Sequence, residues 1–391
     1  MGLNETPSGE RKHIAFFGCR NAGKSSLLNA VTGQDMAIVS DVKGTTTDPV
    51  YKAMELLPAG PVVVIDTPGL DDEGELGEMR VKSAMKVLKK TDLAVIVIDA
   101  AAGFREEDAL VLDWVQHDNI PYVIVYNKAD IAQGTIPDSV MAVSAITGQG
   151  IFALKEKIAA LLKTEEEARP IASDLVKGGD MVVLVVPIDK AAPKGRLILP
   201  QQQTIRDLLD HGIVPVVVRD TELESVLKRL GSEVKLVITD SQAFKKVGDI
   251  VPEEIPLTSF SILFSRYKGE LKKQLEAVDT IDKLKDGDRI LIAEGCTHHR
   301  QCGDIGTEKI PKMLSKYGKF EIDFTSGQTF SEDPGKYRLI IHCGGCMLNE
   351  KEMKSRIAMA DEAGVPITNY GMVIAKMTGM LDRSIKPLGV K

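Results

Sequence analysis

No stretch of this 391-residue chain approaches the roughly 18 consecutive apolar residues that a membrane-spanning helix requires. Its N-terminus also lacks the apolar core of a signal peptide. Positive charge is not in surplus: lysine and arginine number 49, against 56 aspartates and glutamates. Residues 271–391 hold 19 basic and 17 acidic residues, so the deficit falls on the remainder. A nucleic-acid surface usually needs the opposite balance. Low-complexity segments and short-period repeats are missing. Met1-Gly2-Leu3-Asn4-Glu5-Thr6 meets the loose myristoylation pattern, but no basic patch or second anchor signal accompanies it. These absences exclude the membrane, secreted and disordered classes. The expectation is a cytoplasmic protein with no nucleic-acid partner. At roughly 150 residues per domain, the length suggests two or three domains.

Cysteine is scarce as well. The five are Cys19, Cys296, Cys302, Cys343 and Cys346, and their odd number, without a secretion signal, argues against a disulfide framework. Four lie between positions 296 and 346, with three of the six histidines.

The pattern along the chain predicts three consecutive α/β domains. Residues 14–17, 62–66, 93–99 and 122–127 are apolar runs of strand length, and 77–89 and 106–116 show helical spacing between them. Buried apolar strands alternating with helices imply a mostly parallel sheet covered on both faces. This first domain, 1–165, ends in a charged run closed by Pro170, which reads as a linker. A second unit, 171–266, has strands at 181–187, 213–218 and 234–239 but no catalytic constellation, so its predicted role is structural or associative. A third, 267–391, has strands at 289–293, 321–325 and 338–342, with glycine- or cysteine-bearing turns after them.

Gly18-Cys19-Arg20-Asn21-Ala22-Gly23-Lys24-Ser25 follows the first strand and leads into a helix through Ser26. This is the phosphate-loop pattern GxxxxGK[ST] in the context it requires. The glycines let backbone amides close around a β-phosphate at the positive end of the helix. Lys24 would bridge the β- and γ-phosphates, and the Ser25 hydroxyl would ligate Mg²⁺. Asp66-Thr67-Pro68-Gly69 ends the 62–66 strand, placing Asp66 for the Mg²⁺ shell and Gly69 for an amide that senses the γ-phosphate. Asn127-Lys128-Ala129-Asp130 ends the 122–127 strand. A carboxylate there takes the two donors of guanine N1 and N2, which adenine lacks, so the motif selects GTP. Ser144 and Ala145 would add backbone contacts to guanine O6. Cys19, at a variable position of the loop, reads as a small buried filler. Glu73 and Glu75 read as solvated acids, not water-positioning groups.

Cys296-Thr297-His298-His299 follows the 289–293 strand, and His342-Cys343-Gly344-Gly345-Cys346 ends the 338–342 strand. Ligands gather beyond the carboxyl ends of strands in open α/β sheets, so the two groups can converge. Several chemistries fit the residues. Cys3His can close a structural zinc site, and a CxxC pair can be a redox disulfide or simply buried thiols. Three thiolates from two loops, with Gly344 and Gly345 letting amides approach sulphur, suit a [4Fe–4S] cluster with one site left over. His298 and His342 are candidate ligands or neighbours of the ligands. Cys302 and His299 fall outside the tighter pattern.

The phosphate loop resembles that of GTPases of the Era and TrmE kind, which share GxxNxGKSSLxN, through Asn21 and Gly23 to Asn29. Gly44-Thr45-Thr46-Thr47-Asp48 resembles their switch GTTRD, with Thr47 in place of arginine. The resemblance implies that Thr46 senses Mg²⁺ and that Asn21 holds a stimulating K⁺. Leu70 stands where a Ras-like enzyme has a water-orienting glutamine, so turnover should be slow.

From about residue 8 to 385 the chain resembles the [FeFe]-hydrogenase maturation GTPase family, in which such a GTPase precedes an α/β unit and a CxH…HCxxC pair. That resemblance implies Cys296, Cys343 and Cys346 as the cluster thiolates, with His298 and His342 associated. It also implies homodimerisation through the middle unit. The implied activity is a scaffold and carrier that receives a transient di-iron precursor from radical-SAM maturases and delivers it to apo-[FeFe]-hydrogenase. The competing expectations are an RNA-modification or ribosome-assembly GTPase with a structural zinc module, and a redox protein gated by GTP.

Overall fold

A computed structural model of the chain describes residues 8–33, 48–70, 74–132, 140–163, 169–187, 197–295, 304–327 and 330–390, without the side chains of 8 and 74–76. It divides into two compact units, Met1–Glu167 and Ala168–Lys391. Among the described residues, no helix is long and apolar enough to cross a membrane.

The first unit is built on a six-stranded sheet. In chain order its strands are β1 (Lys12–Phe17), β2 (Val50–Leu56), β3 (Gly60–Asp66), β4 (Leu93–Asp99), β5 (Tyr122–Asn127) and β6 (Met141–Ala142). Their spatial order is β2-β3-β1-β4-β5-β6, parallel throughout except for the β2–β3 pair. Helices α1 (Lys24–Thr32), α2 (Gly74–Leu88), α3 (Glu106–His117) and α4 (Ile151–Leu162) connect them. Side chains alternate across a strand, and here both faces are covered. Ile14 and Phe16 join a core with Leu27, Leu28, Leu154 and Ile158 from α1 and α4. Ala15 and Phe17 join another with Val87, Leu88, Val111 and Val115 from α2 and α3. Burial on both faces explains why these strands are uninterrupted apolar runs. The expected α/β fold with a mostly parallel first sheet is what the structure has.

The second unit holds two four-stranded parallel sheets in one compact body. One contains β7 (Met181–Val185), β8 (Val214–Val218), β9 (Val234–Thr239) and β10 (Leu257–Ser259), in the order β10-β9-β7-β8. The other contains β11 (Arg289–Ala293), β12 (Glu321–Thr325), β13 (Leu339–His342) and β14 (Ile367–Asn369), in the order β12-β11-β13-β14. The helices are α5 (Leu199–Asp210), α6 (Leu223–Leu230), α7 (Phe244–Ile250), α8 (Phe260–Lys268), α9 (Leu271–Val278), α10 (Ile310–Leu314), α11 (Glu350–Glu362), α12 (Tyr370–Met377) and α13 (Leu381–Ile385). A core of Phe244, Ile262, Leu271, Ile290, Ile341 and Met372 is shared between the two halves.

Read from the opposite edge, the second order is β14-β13-β11-β12, which is the first order with each strand replaced by its counterpart. The match extends to individual bonds. Thr239 pairs with Val185 and Ser259, and His342 pairs with Ala293 and Asn369. Val237 N donates to Pro256 O, and Ile340 N to Pro366 O, both at 2.9 Å. The entry turns agree as well. Lys177 N donates to Asp180 Oδ2 at 2.7 Å and Lys285 N to Asp288 Oδ2 at 2.8 Å, with Gly179 and Gly287 at φ 90° and 88°. Ser259 caps α8 through Ile262 N, and Asn369 caps α12 through Met372 N. The unit is therefore an internal duplication with a period of more than a hundred residues. Its two halves exchange helices: α9, which follows α8, lies against β14, and α13, which follows α12, lies against β10.

Candidate functional site

In the first unit, the phosphate loop joins β1 to α1. Asn21 and Gly23 have φ of 59° and 82°, the left-handed turn that faces successive amides inward. Lys24 is buried and its Nζ donates to Gly18 O at 3.0 Å and Cys19 O at 2.8 Å. It lies across the loop with its charge satisfied by carbonyls that a phosphate would replace. Ser25 Oγ donates to Asp66 Oδ2 at 2.6 Å. The other carboxylate oxygen, Asp66 Oδ1, is buried with no hydrogen-bond partner among the described residues. Burial pushes the Asp66 carboxyl above its usual range, against the pull of Ser25 and Lys24. An orphaned buried oxygen beside a hydroxyl is a donor set suited to a hard divalent cation, and Mg²⁺ fits it.

Gly69 is there for close approach. A Cβ on it would lie 2.8 Å from the Cα and N of Arg20, so this loop rests directly on the phosphate loop. Leu70 turns into the core with Ala84 and Val87, so it offers nothing to a water molecule. Cys19 is buried, as expected for a filler, and its thiol also donates to Asp108 Oδ1 at 3.6 Å. With Arg20, Asn21, Asp99 and Arg105 these two line a cavity of about 160 Å³.

At the base-recognition end, Asn127 is 1% exposed. Its Nδ2 donates to Ala22 O at 3.0 Å, and its Oδ1 accepts from Ala145 N at 3.1 Å. It thus ties the phosphate loop to the Ser144–Ala145 turn, a bridging role the sequence reading did not include. Lys128 has φ 63° and its Nζ donates to Asp99 Oδ2 at 2.7 Å. Burial raises the Asp99 carboxyl, but Lys128 and the Ala101 and Ala102 amides outweigh it and hold the group below its usual range. Asp130 is exposed and its carboxylate accepts no hydrogen bond among the described residues. Ser144 is buried, with its Oγ accepting from Thr147 N, while Ser26 is half-buried on the first turn of α1. Thr46, with the rest of Gly44–Thr47, and Glu73 lie outside the described residues, as does the side chain of Glu75.

In the second unit, His342 ends β13 and Cys343 and Cys346 lie in the turn beyond it. Cys343 Sγ accepts from Gly295 N at 3.0 Å and from Gly345 N at 3.4 Å. Burial pushes the Cys343 thiol up to about 11, against those amides. Burial also raises the Cys346 thiol, while Lys268 lowers it. Amides aimed at sulphur from two loops are what an anionic thiolate bound to a metal requires, so the donor set fits a cluster ligand. His342 is fully buried. Its Nδ1 donates to Cys343 O at 2.7 Å, and its Nε2 accepts from Arg356 Nη1 at 3.0 Å. A carbonyl only accepts and a guanidinium only donates, so this tautomer is fixed and neither nitrogen is open. Burial, then the Arg356 charge, lower its pKa to about 3. Arg356 is itself held by Gly327 O and Glu352. Cys296, His298, His299 and Cys302 lie outside the described residues, and among the described ones no three His, Cys, Asp or Glu side chains are placed to share a metal.

The strand order of the first unit, its phosphate loop and the Asn127–Asp130 turn define a phosphate-loop GTPase domain, whose substrate is GTP with Mg²⁺. Residues 13–128 match the family described as 50S ribosome-binding GTPase. The tRNA modification GTPase MnmE of Neisseria gonorrhoeae is 33% identical over 156 residues, 38% of this chain and 34% of that one. Its counterpart in Xanthomonas oryzae is 40% identical over 147 residues, 36% of this chain and 31% of that one. The chain therefore spans about a third of the length of these curated relatives. Aquifex aeolicus Era bound to GDP and AlF4⁻ overlaps 57% of this chain and 98% of its own, at 22% identity and a TM-score of 0.36.

The remainder of the chain is more particular. Residues 171–269 match the Hydrogen maturase F dimerization domain and residues 272–387 the Hydrogen maturase F tetramerization domain. Together these cover more than half of the chain, which belongs to the hydrogen maturase F family.

Proposed function

We propose that this protein is a GTP-hydrolysing scaffold and carrier that holds a [4Fe–4S] cluster and delivers a di-iron precursor to apo-[FeFe]-hydrogenase. The observation that carries the reading is the Cys343–Cys346 turn at the carboxyl end of β13, with two amides on one sulphur, in a chain that also bears a GTPase domain. The working division is 1–165 for GTP, 171–266 for dimerisation and 267–391 for the cluster. Cys296, Cys343 and Cys346 would hold three irons, and the fourth iron would keep an exchangeable position for cargo. His342, with both nitrogens engaged, would fix the Cys343 carbonyl and so the turn, not ligate iron. When bound, the cluster supplies that open iron site. Radical-SAM maturases and the apo-hydrogenase are the partners in this reading. The RNA-directed alternative has as support relatives that share about a third of their length with this chain and a family match that ends at residue 128.

For hydrolysis, water attacks the γ-phosphorus, the β–γ bridging P–O bond breaks, and charge collects on the β-phosphate oxygens. Lys24 exchanges its carbonyl partners for those oxygens, and the loop amides face them. Gly69 N would face the γ-phosphate, a role supported by the close seat of Gly69 on Arg20. Mg²⁺, held by Ser25, Asp66 and Thr46, would neutralise the β- and γ-oxygens. With Leu70 in the core, no side chain at that position orients water, so turnover should be slow, and K⁺ at Asn21 would stimulate it. Homodimerisation would use β8, an edge strand whose Val214 and Val217 are 43% and 44% exposed. An apolar free edge of this kind needs covering.

The test is activation of apo-hydrogenase by the protein loaded anaerobically with iron, sulphide and the di-iron precursor. Hydrogen evolution is expected. Failure with a sample shown to carry both cluster and precursor overturns the carrier role, and a colourless chain binding one zinc overturns the cluster.

A further inference from the structure

The duplication in the second unit makes a comparison that neither half allows alone. Cys343 stands where Asp240 stands in the first half, because His342 and Thr239 share the same register in their sheets. The turn after each strand is overlaid by a helix of the other half. Helix α12 lies on Ser241–Ala243, and α8 lies against the segment that carries Cys346. The mirror relation is broken at one chemically telling position. Lys268, the last residue of α8, corresponds to Thr378 after α12, since Gly269 and Gly379 end equivalent segments. Where the turn carries thiols, the overlying helix brings a cation. At the equivalent place over the first turn, Thr378 carries no charge.

Lys268 is only 3% exposed, although lysine is rarely buried to that degree. Its Nζ donates to Cys346 O at 3.4 Å and Leu348 O at 3.0 Å, and lies 6.0 Å from the centre of the Phe264 ring. Burying an ammonium is costly unless negative charge or well-aimed dipoles meet it. Two carbonyls on the cysteine turn meet it there, and a thiolate-bound cluster on the same turn, anionic in its reduced form, would add to that field.

We propose that Lys268 is an electrostatic positioning residue for the metal centre: the first half of the duplication lends its charge to the turn of the second, holding Cys346 in place and favouring the reduced cluster. The inference rests on the cluster reading above and deepens it. It gives the helix shared between dimerisation and cluster modules a chemical task, because a shift of α8 would move the charge at the cluster. The charge acts through space and through the turn, without ligating iron.

The test compares full-length wild type with Lys268→Gln, which keeps a donor but loses the charge, and Lys268→Arg, which keeps the charge. Each is reconstituted anaerobically with iron and sulphide and titrated against potential by EPR. Lys268→Gln is expected to show a reduced-to-oxidised ratio about tenfold lower at fixed potential, 59 mV for a one-electron couple. Lys268→Arg is expected to stay near wild type. If glutamine proves too small to hold the turn and only the arginine variant takes up a cluster, with the wild-type potential, the charge requirement is again supported. Equal potentials in wild type and Lys268→Gln overturn the inference, as does loss of the cluster in both variants, which would mean that side-chain shape alone matters. If the wild type itself takes up no cluster, the cluster reading falls and this inference with it.

Discussion

Truncating Asn127 to alanine should destabilise the first unit before any nucleotide is present. The side chain is 1% exposed and joins Ala22 O to Ala145 N through bonds of 3.0 and 3.1 Å. In Asn127→Ala both backbone groups lose that partner. A buried polar group left unsatisfied costs about 1–3 kcal/mol, giving a total of about 2–6 kcal/mol for the two. That is a large fraction of the about 5–15 kcal/mol typical of a domain. Trp114 in α3 is the sole tryptophan, so its fluorescence during urea unfolding reports on this unit alone. Asp130→Asn is the control: the carboxylate is exposed, and its loss should shift stability by no more than about 0.5 kcal/mol. A nucleotide-free Asn127→Ala chain that unfolds at the wild-type urea midpoint, while losing GTP affinity, would refute the bridging argument and leave Asn127 as a base contact only.

Four further outcomes are expected. Asp130→Asn should shift preference from GTP toward XTP in competition binding, since an amide can donate to the extra carbonyl of xanthine. Gly69→Ala should retain GTP binding but lower kcat by roughly tenfold or more, about 1.4 kcal/mol in the barrier, because its Cβ must push the loop off Arg20. Asp108 is 2% exposed, and burial holds its carboxyl above the usual range despite the Arg105 amide and the Cys19 thiol. A raised folded-state pKa stabilises at low pH and loses that contribution as pH rises through it. The stability of wild type relative to Asp108→Asn, from urea midpoints, should therefore fall between pH 4 and pH 7, and a rise would show that the partners outweigh burial. Finally, Cys343→Ser should lose the reduced-cluster EPR signal after reconstitution, while the Trp114 unfolding transition stays in place.

Much of the first unit could be read in advance because its signals are local. The phosphate loop is one contiguous turn, and strands buried on two faces must be apolar at every position. Asn127 was legible as a base contact but not as a bridge, since its partners lie 105 and 18 residues away. The duplication left traces in Lys177-Gly178-Gly179-Asp180 against Lys285-Asp286-Gly287-Asp288, and in Pro256 to Gly269 against Pro366 to Gly379. Between those turns and caps, one aliphatic residue packs as well as another, so the shared fold outlasts sequence likeness.

The sequence by itself determined the nucleotide chemistry and the CxxC spacing of Cys343 and Cys346. Those depend on residue types at fixed spacing within single turns, where backbone conformation is set locally. Tertiary structure alone decided how those groups are engaged. It closed both nitrogens of His342, left Asp66 Oδ1 without a partner, and set Lys268 against a turn 78 residues along the chain. Burial and pairing are relations between distant segments, and only the folded chain brings those segments together.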